Sequence, residues 1–231
     1  MELTWYGRTC VRMRGKDAVV VADAYQSVVG PTGRGITGDI VTFSHPDDSP
    51  LPKSKGRLSR DGTTVIPGSL EDAFCLDGPG EYEVKDVLIT GIRTHRDDHK
   101  GKERGRNVAF IVELDGVHVI HLGDIGHLLT EDKLTDIGPV DVACIAIGGT
   151  LPPNKAAELV SQLDAKVVVP MPVCDRPGRR AEQSTWTTAA RGLTRCHRHR
   201  RLPCPRTGWG VPVGRHGLAG LSGACVACGG R

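Results

Sequence analysis

Short apolar runs separated by polar turns fill the first part of the chain, a pattern typical of consecutive β-strands. The runs ELTWYG, CVRMRG and DAVVVAD each end at Gly or Asp, and their spacing predicts an antiparallel meander. The continuous apolar run DIVTFSH, residues 39–45, is typical of a strand covered on both faces. Further strands are predicted at TTVIPG, GEYEVKDVLITGIRT, NVAFIVELDG and VHVIHLGD, with a hairpin turn at LDG.

The pattern changes after residue 129. The stretch TEDKLTDIG, with Thr130 as N-cap and Gly138 as a stop, predicts a short helix. The strand VDVACIAIGG follows, and residues 154–163 then repeat apolar side chains at a helical period before the strand KVVVP. Strands first and strand–helix–strand units later predict a layered α/β protein whose helices cover a sheet.

Composition supports one folded domain followed by a different kind of sequence. The chain has 231 residues and 39% hydrophobic content, enough for a core and for an enzyme. No secretory signal and no apolar run near the ~20 residues of a membrane span is visible, so we expect a cytoplasmic protein. The well-separated Cys10, Cys75 and Cys144 are expected to be buried hydrophobes without disulfides.

Residues 173–231 carry 11 Arg, no Lys and two acids, a net charge of +9 against −6 for residues 1–172. We predict no strand or helix in this Arg-, Gly-, Pro- and Cys-rich tail, and interpret it as disordered or as out-of-frame sequence from a GC-rich gene. A metal-binding or nucleic-acid-binding appendage remains an alternative, built on Cys196, Cys204, Cys225 and Cys228. A disordered basic tail would bind polyanions such as nucleic acid weakly.

Three loops contain both His and Asp directly after an apolar strand. They are SHPDDSP at 44–50, RTHRDDH at 93–99 and HLGDIGH at 121–127. Loops at strand ends can turn such side chains toward one point, so these loops are candidates for a metal site. His and Asp in loops are usually solvated, so ordinary turns are the alternative.

The segments MELTWYGRTC, DIVTFSH, DGPGEYEVKDVLITGIRT, KGKERGRNVAFIVELDGVHVIHLGDIGH and VDVACIAIGG together resemble a metallo-β-lactamase-fold hydrolase. The resemblance covers residues 1–171 and is to the branch similar to ascorbate-6-phosphate lactonase. It implies a four-layer αββα sandwich, here truncated or aberrant at its C-terminus, that binds one or two metal ions, usually zinc or manganese. The implied chemistry is attack of a metal-bound water on an ester, amide, lactone or phosphodiester.

Carried onto this chain, the ligand pattern of the family is incomplete. The loop that reads His-x-His-x-Asp-His in the family begins here at His45, and Asp47, Ser49 and Pro50 stand at its other ligand positions. The last ligand, a histidine in the family, is here Pro172, which has no side chain that can bind metal.

The other ligand positions match the pattern of the family more closely. Asp124 matches the metal-bridging aspartate of the family. The histidine of the 93–99 loop corresponds to His95 or Arg96, depending on a one-residue register, with His95 as the candidate and His99 as a weaker one. Arg8 is either a surface arginine or a residue that grips an anionic substrate.

The resemblance therefore implies a single divalent ion, zinc or manganese, held with reduced affinity by His45, Asp47, His95 and Asp124. Asp124 and His121 are the candidate catalytic residues, with His121 positioning the substrate or passing a proton. The expected function is metal-dependent hydrolysis of a small anionic ester, lactone or phosphodiester. The alternative is a catalytically inactive member of the fold that acts as a binding or scaffold protein.

Overall fold

The computed structural model describes residues 1–47 and 56–173 together with the backbone of 209–212. Its first sheet has six strands in the order β12-β1-β2-β3-β4-β5, numbered along the chain. These strands are β1 (Glu2–Gly7), β2 (Cys10–Arg14), β3 (Val19–Ala22), β4 (Ile40–Thr42), β5 (Phe74–Leu76) and β12 (Trp209–Pro212). The pairs β3–β4 and β4–β5 are parallel, whereas β12–β1, β1–β2 and β2–β3 are antiparallel.

The second sheet also has six strands, in the order β11-β10-β9-β8-β7-β6. They are β6 (Gly80–Val84), β7 (Val87–His95), β8 (Arg106–Leu114), β9 (Val117–His121), β10 (Val142–Ile147) and β11 (Val167–Pro172). The first four form an antiparallel meander, and β9, β10 and β11 run parallel.

Three apolar clusters define the layers of the fold. The central cluster lies between the two sheets and includes Val20 and Leu76 from the first sheet and Phe110 and Val119 from the second. Alternate residues of the same strands point the other way, because side chains alternate across a strand. On the outer face of the second sheet they join a cluster with the helices, and on the outer face of the first sheet they join a third cluster. The predicted four-layer αββα sandwich is confirmed.

In the part of the chain that the structure describes, three short α-helices cover the sheets: α1 (Gln26–Val29), α2 (Glu131–Ile137) and α3 (Pro153–Leu163). Helix α3 begins at Pro153, whose fixed φ suits a first helical position, and it buries Ala156, Leu159 and Leu163. Gly138 ends α2 with a positive φ, as the sequence predicts. Within the described ranges, no helix is long and apolar enough to cross a membrane.

Several predicted elements need correction. The run TTVIPG is not a strand and contributes only an isolated bridge between Leu58 and Val65. The run GEYEVKDVLITGIRT is a hairpin of β6 and β7, because Lys85 and Asp86 form a turn with positive φ. Two strands were not predicted. One is the three-residue β5, and the other is β12 in the tail, which pairs with β1.

Most of the tail lies outside the described residues, as do the cysteines considered for a metal-binding appendage. Its interpretation as disordered or out-of-frame sequence therefore stays a prediction.

The parallel strands of both sheets end at one common edge. The backbone N–H of Val108, in the second sheet, donates to the carbonyl of Ser44, two residues after β4 of the first sheet, over 2.7 Å. A side chain at Gly123 would overlap that of Ser44, so the two sheet ends are in direct contact there. Loops following β3, β4, β7, β9 and β10 meet at this edge, which we call the loop edge.

Candidate functional site

Asp124 is the centre of the loop edge, and its partner is an arginine. Asp124 follows β9, and the residue is only 5% exposed. Arg96, directly after β7, donates from Nε over 3.1 Å and from Nη2 over 3.0 Å to Oδ2 of Asp124. A guanidinium that donates twice to a buried carboxylate forms a strong, charge-assisted pair.

The other oxygen of Asp124 is also engaged. Thr150, after β10, donates from its backbone N–H to Oδ1 over 3.3 Å, and its hydroxyl lies 3.0 Å from Oδ1, about as near as to the carbonyls of Asp124 and Ile125. Gly149 allows this approach, because a Cβ there would lie 2.6 Å from the same Oδ1. Both carboxylate oxygens are therefore hydrogen-bonded within the protein.

The loop that carries Arg96 is held by Asp97. Its carboxylate accepts hydrogen bonds from four backbone N–H groups, which belong to His99, Gly101, Glu103 and Arg104. Desolvation acts to raise the pKa of Asp97, but the four donors outweigh it and lower the pKa to about 2. These four hydrogen bonds hold the loop that carries Arg96 in a defined conformation.

His95 does not join Asp124 in this arrangement but lies beside His127, with ring centroids 5.7 Å apart. Nδ1 of His127 lies 2.7 Å from the carbonyl of Leu128 and must donate to it, so Nε2 carries a lone pair. That lone pair accepts the backbone N–H of His95 over 3.1 Å. Desolvation and the neighbouring His127 lower the pKa of His95, which favours its neutral form.

His45 lies on the first-sheet side of the loop edge, in a polar network. Its Nδ1 is 2.7 Å from Oγ of Ser44 and 3.3 Å from the hydroxyl of Tyr25. Behind them Asp23, fully buried, accepts from the hydroxyl of Ser44 over 2.7 Å, and the hydroxyl of Tyr25 lies 3.0 Å from Asp23 and 2.7 Å from the carbonyl of His45. The Tyr25 and His45 rings also pack against each other.

Asp47 follows His45 by two residues and binds a different partner. Its Oδ1 accepts a hydrogen bond from the hydroxyl of Ser27 over 2.9 Å. Because Ser27 lies in α1, this contact ties the loop after β4 to the helix that covers the first sheet.

His121 lies at the end of β9, completely buried between the sheets. Its Nε2 is 2.7 Å from the carbonyl of Thr9 and therefore donates to it. Nδ1 has no hydrogen-bond partner among the described residues. The position is below the surface of the loop edge, where a substrate would bind, and the catalytic role of His121 stays a prediction.

The structure places His45, Asp47, His95 and Asp124 at the ends of strands that meet at one edge, yet each has a different partner. Within residues 1–47 and 56–173, no three His, Cys, Asp or Glu side chains form a group that could hold a metal ion. The ligand set carried over from the resemblance stays a prediction.

Comparison with known proteins identifies the family. The sequence profile of the Beta-lactamase superfamily domain matches residues 2–172, nearly all of the described chain. The chain belongs to the metallo-β-lactamase superfamily of metal-dependent hydrolases. The two-sheet architecture and the shared loop edge agree with this membership.

Similar proteins within the superfamily include two archaeal proteins named UPF0173 metal-dependent hydrolase. The one from Thermococcus onnurineus is 35% identical over 96 residues, 40% of this chain and 43% of that protein. The one from Methanoculleus marisnigri is 25% identical over 186 residues, 74% of this chain and 80% of that protein.

Two solved structures show the same fold. A metallo-β-lactamase superfamily protein from Thermotoga maritima is 30% identical, with a TM-score of 0.54 and 74% of each chain covered. Igni18, a metallo hydrolase from Ignicoccus hospitalis, is 17% identical, with a TM-score of 0.59 and coverage of 92% of this chain and 99% of its own.

The described residues around Asp124 do not fit the metal ion that the superfamily implies. The guanidinium of Arg96 donates twice to Oδ2 of Asp124 and would repel a cation bound beside that oxygen, and among the described residues no two other His, Cys, Asp or Glu side chains join Asp124 in a group that could hold a metal ion. The positive charge beside Asp124 is a guanidinium, which itself offers no lone pair to a metal.

Sequence reasoning did not identify Asp23, Ser44 or Thr150 as part of the site. Asp23 ends the strand DAVVVAD, where aspartate is also a common turn residue. Its positive φ of 52° and its complete burial distinguish it only in the structure. For Arg96 a signal was present, because one of the two alignment registers already placed it at the ligand position.

Proposed function

We propose that this chain is a member of the metal-dependent hydrolase superfamily that has replaced the metal ion at Asp124 by the guanidinium of Arg96. In this proposal the loop edge binds a small molecule without metal-dependent hydrolysis. The observation that carries the proposal is the double donation from Arg96 to Oδ2 of Asp124, together with Thr150 on Oδ1.

The ligand class that we propose is a small anion. Arg93 and Lys133 lie near the end of β7, and Nζ of Lys133 donates to the carbonyl of Arg93 over 2.6 Å. Desolvation and the charge of Arg93 lower the pKa of Lys133, as expected where cationic groups are close together. Such a concentration of positive charge attracts anionic ligands.

A second candidate is hydrolysis itself. It is favoured by the names of the relatives and by the presence of His45, Asp47, His95 and Asp124 around one edge. One zinc or manganese ion would then activate water against a small anionic ester, lactone or phosphodiester. A lactone of a phosphorylated sugar acid is the substrate class implied by the resemblance to ascorbate-6-phosphate lactonase. This function requires Asp124 to exchange Arg96 for the metal.

The two functions differ in a hydrolysis assay with added zinc or manganese. A chromogenic aryl ester, a phosphorylated sugar lactone and a bis-aryl phosphodiester sample the three substrate classes. We expect the native chain to hydrolyse none of them faster than a His45→Ala, Asp124→Ala double variant, with or without a chelator. Turnover that is stimulated by metal and lost in the double variant would establish the hydrolase instead.

A further inference from the structure

Lys133 of α2 has a backbone carbonyl as its hydrogen-bond partner. Its Nζ donates to the carbonyl of Arg93 over 2.6 Å, and the residue is half-buried near the end of β7. Among the described residues no aspartate or glutamate forms an ion pair with Nζ, although α2 itself contains Glu131, Asp132 and Asp136. A carbonyl accepts a hydrogen bond from a neutral amine, and the lone pair of that amine remains available.

Lys166 and Lys85 show the more usual environment of a lysine. Nζ of Lys166 lies 2.6 Å from a carboxylate oxygen of Asp141, and Nζ of Lys85 lies 2.5 Å from one of Asp39. A carboxylate at this distance stabilises the ammonium ion, which has no lone pair and cannot attack a carbonyl group. We therefore expect both lysines to react slowly with carbonyl compounds at neutral pH.

The surroundings of Lys133 disfavour its positive charge. Desolvation, followed by the charge of Arg93, lowers the pKa of Lys133. The charges of Lys133 and Arg93 act on His95 as well, but among the described residues no hydrogen bond joins Lys133 to that histidine. At neutral pH a larger fraction of Lys133 than of Lys166 is therefore the neutral amine. A lysine that is desolvated beside another cation is a more effective nucleophile.

We propose that Lys133 is a reactive amine that binds an aldehyde covalently as an imine. The lone pair of Nζ attacks the carbonyl carbon, and the carbonyl oxygen leaves as water with the two amine protons, so the step needs no oxidant or second substrate. Arg93 favours aldehydes that carry a carboxylate or a phosphate, because its charge attracts anions. That preference rests on the proposed function, whereas the reactivity of Lys133 does not.

Reductive labelling of the full chain tests this inference. The native protein is incubated at neutral pH with a limiting amount of pyridoxal, and borohydride then reduces the imines to stable secondary amines. Mass spectrometry of the peptides obtained by cleavage at glutamate locates the label. We expect the peptide with Lys133 to carry more label than those with Lys166 or Lys85. Label that is spread evenly over the lysines, or that favours Lys166, would overturn the proposal.

Two variants show whether the labelling depends on the environment of Lys133. Lys133→Arg keeps a positive charge without a nucleophilic amine, so the label should be lost from this peptide alone. Arg93→Met removes the neighbouring charge but keeps the carbonyl that Nζ contacts, so labelling of Lys133 should fall while that of Lys166 stays the same. Undiminished labelling of Lys133 in Arg93→Met would contradict the role of Arg93.

Pyridoxal phosphate separates this inference from the proposed function, because it carries the same aldehyde as pyridoxal and an added phosphate. We expect it to label Lys133 at lower concentrations than pyridoxal does, since Arg93 attracts the phosphate. Equal labelling by the two aldehydes would overturn the preference for anions and leave the reactive amine standing. Failure of both aldehydes to label Lys133 would overturn the reactive amine without affecting anion binding.

Discussion

Replacing Arg96 by methionine is expected to lower the free energy of unfolding by about 3 kcal/mol, because it leaves the Asp124 carboxylate buried without its charged partner. Methionine keeps much of the apolar stem, so the loss reports the guanidinium and not the volume of the side chain. Urea unfolding followed by circular dichroism measures the change.

Arg93→Met is the matched control for this experiment. Arg93 lies three residues earlier on β7 with an exposed side chain, and surface substitutions usually change stability by less than about 0.5 kcal/mol. Equal stabilities of the two variants would mean that the pair of Arg96 with Asp124 contributes nothing to the fold. An Asp124→Asn variant should be destabilised like Arg96→Met, because each removes one charge of the same pair.

In the loop after β9, adding a single methyl group at Gly126 is expected to destabilise the protein as much as Arg96→Met does. Gly126 lies against the backbone of Arg96 and Asp97, and a Cβ at this position would overlap the carbonyl group of Arg96. The hydrogen bond from the N–H of Gly126 to the carbonyl of His95, 2.9 Å long, fixes that approach. Because rigid backbone must move, we expect Gly126→Ala to cost about 3 kcal/mol.

Gly78→Ala provides the comparison for Gly126→Ala, since nothing lies within 4 Å of a Cβ placed at Gly78. Both substitutions reduce the conformational freedom of the unfolded chain by the same amount, so their difference reports the crowding beside Arg96. Thermal unfolding of the two variants measures it. If both unfold at the native temperature, the loops of β7 and β9 are not in the close contact described above.

The layered architecture could be predicted because its signal is local. The short apolar runs of the first strands, each closed by Gly or Asp, and the helical period at residues 154–163 each depend only on neighbouring residues. The strand β5, Phe74–Leu76, was missed because its short apolar run is flanked on both sides by acidic residues, whereas the equally short β4 lies in the apolar run that was predicted at DIVTFSH. The run TTVIPG has strand-like composition, but the structure gives it no continuous ladder, and composition alone cannot report that.

The candidate site was less predictable because its contacts are not local. Asp23 and Ser44 are 21 residues apart in sequence, and Arg96 and Asp124 are 28 apart. Pairing of β3 with β4 and of β7, β8 and β9 brings these residues together. A one-residue choice of register decided between His95 and Arg96, and only the position of the loop after β7 shows that Arg96 reaches Asp124.

Elemental mass spectrometry tests most directly whether Arg96 stands in place of a metal ion. The native chain and the His45→Ala, Asp124→Ala double variant are each incubated with zinc or manganese and desalted before their metal content is measured. We predict the same metal content in both proteins, since Asp124 is held by Arg96 and Thr150. About one equivalent of metal in the native chain that is lost in the double variant would contradict the account.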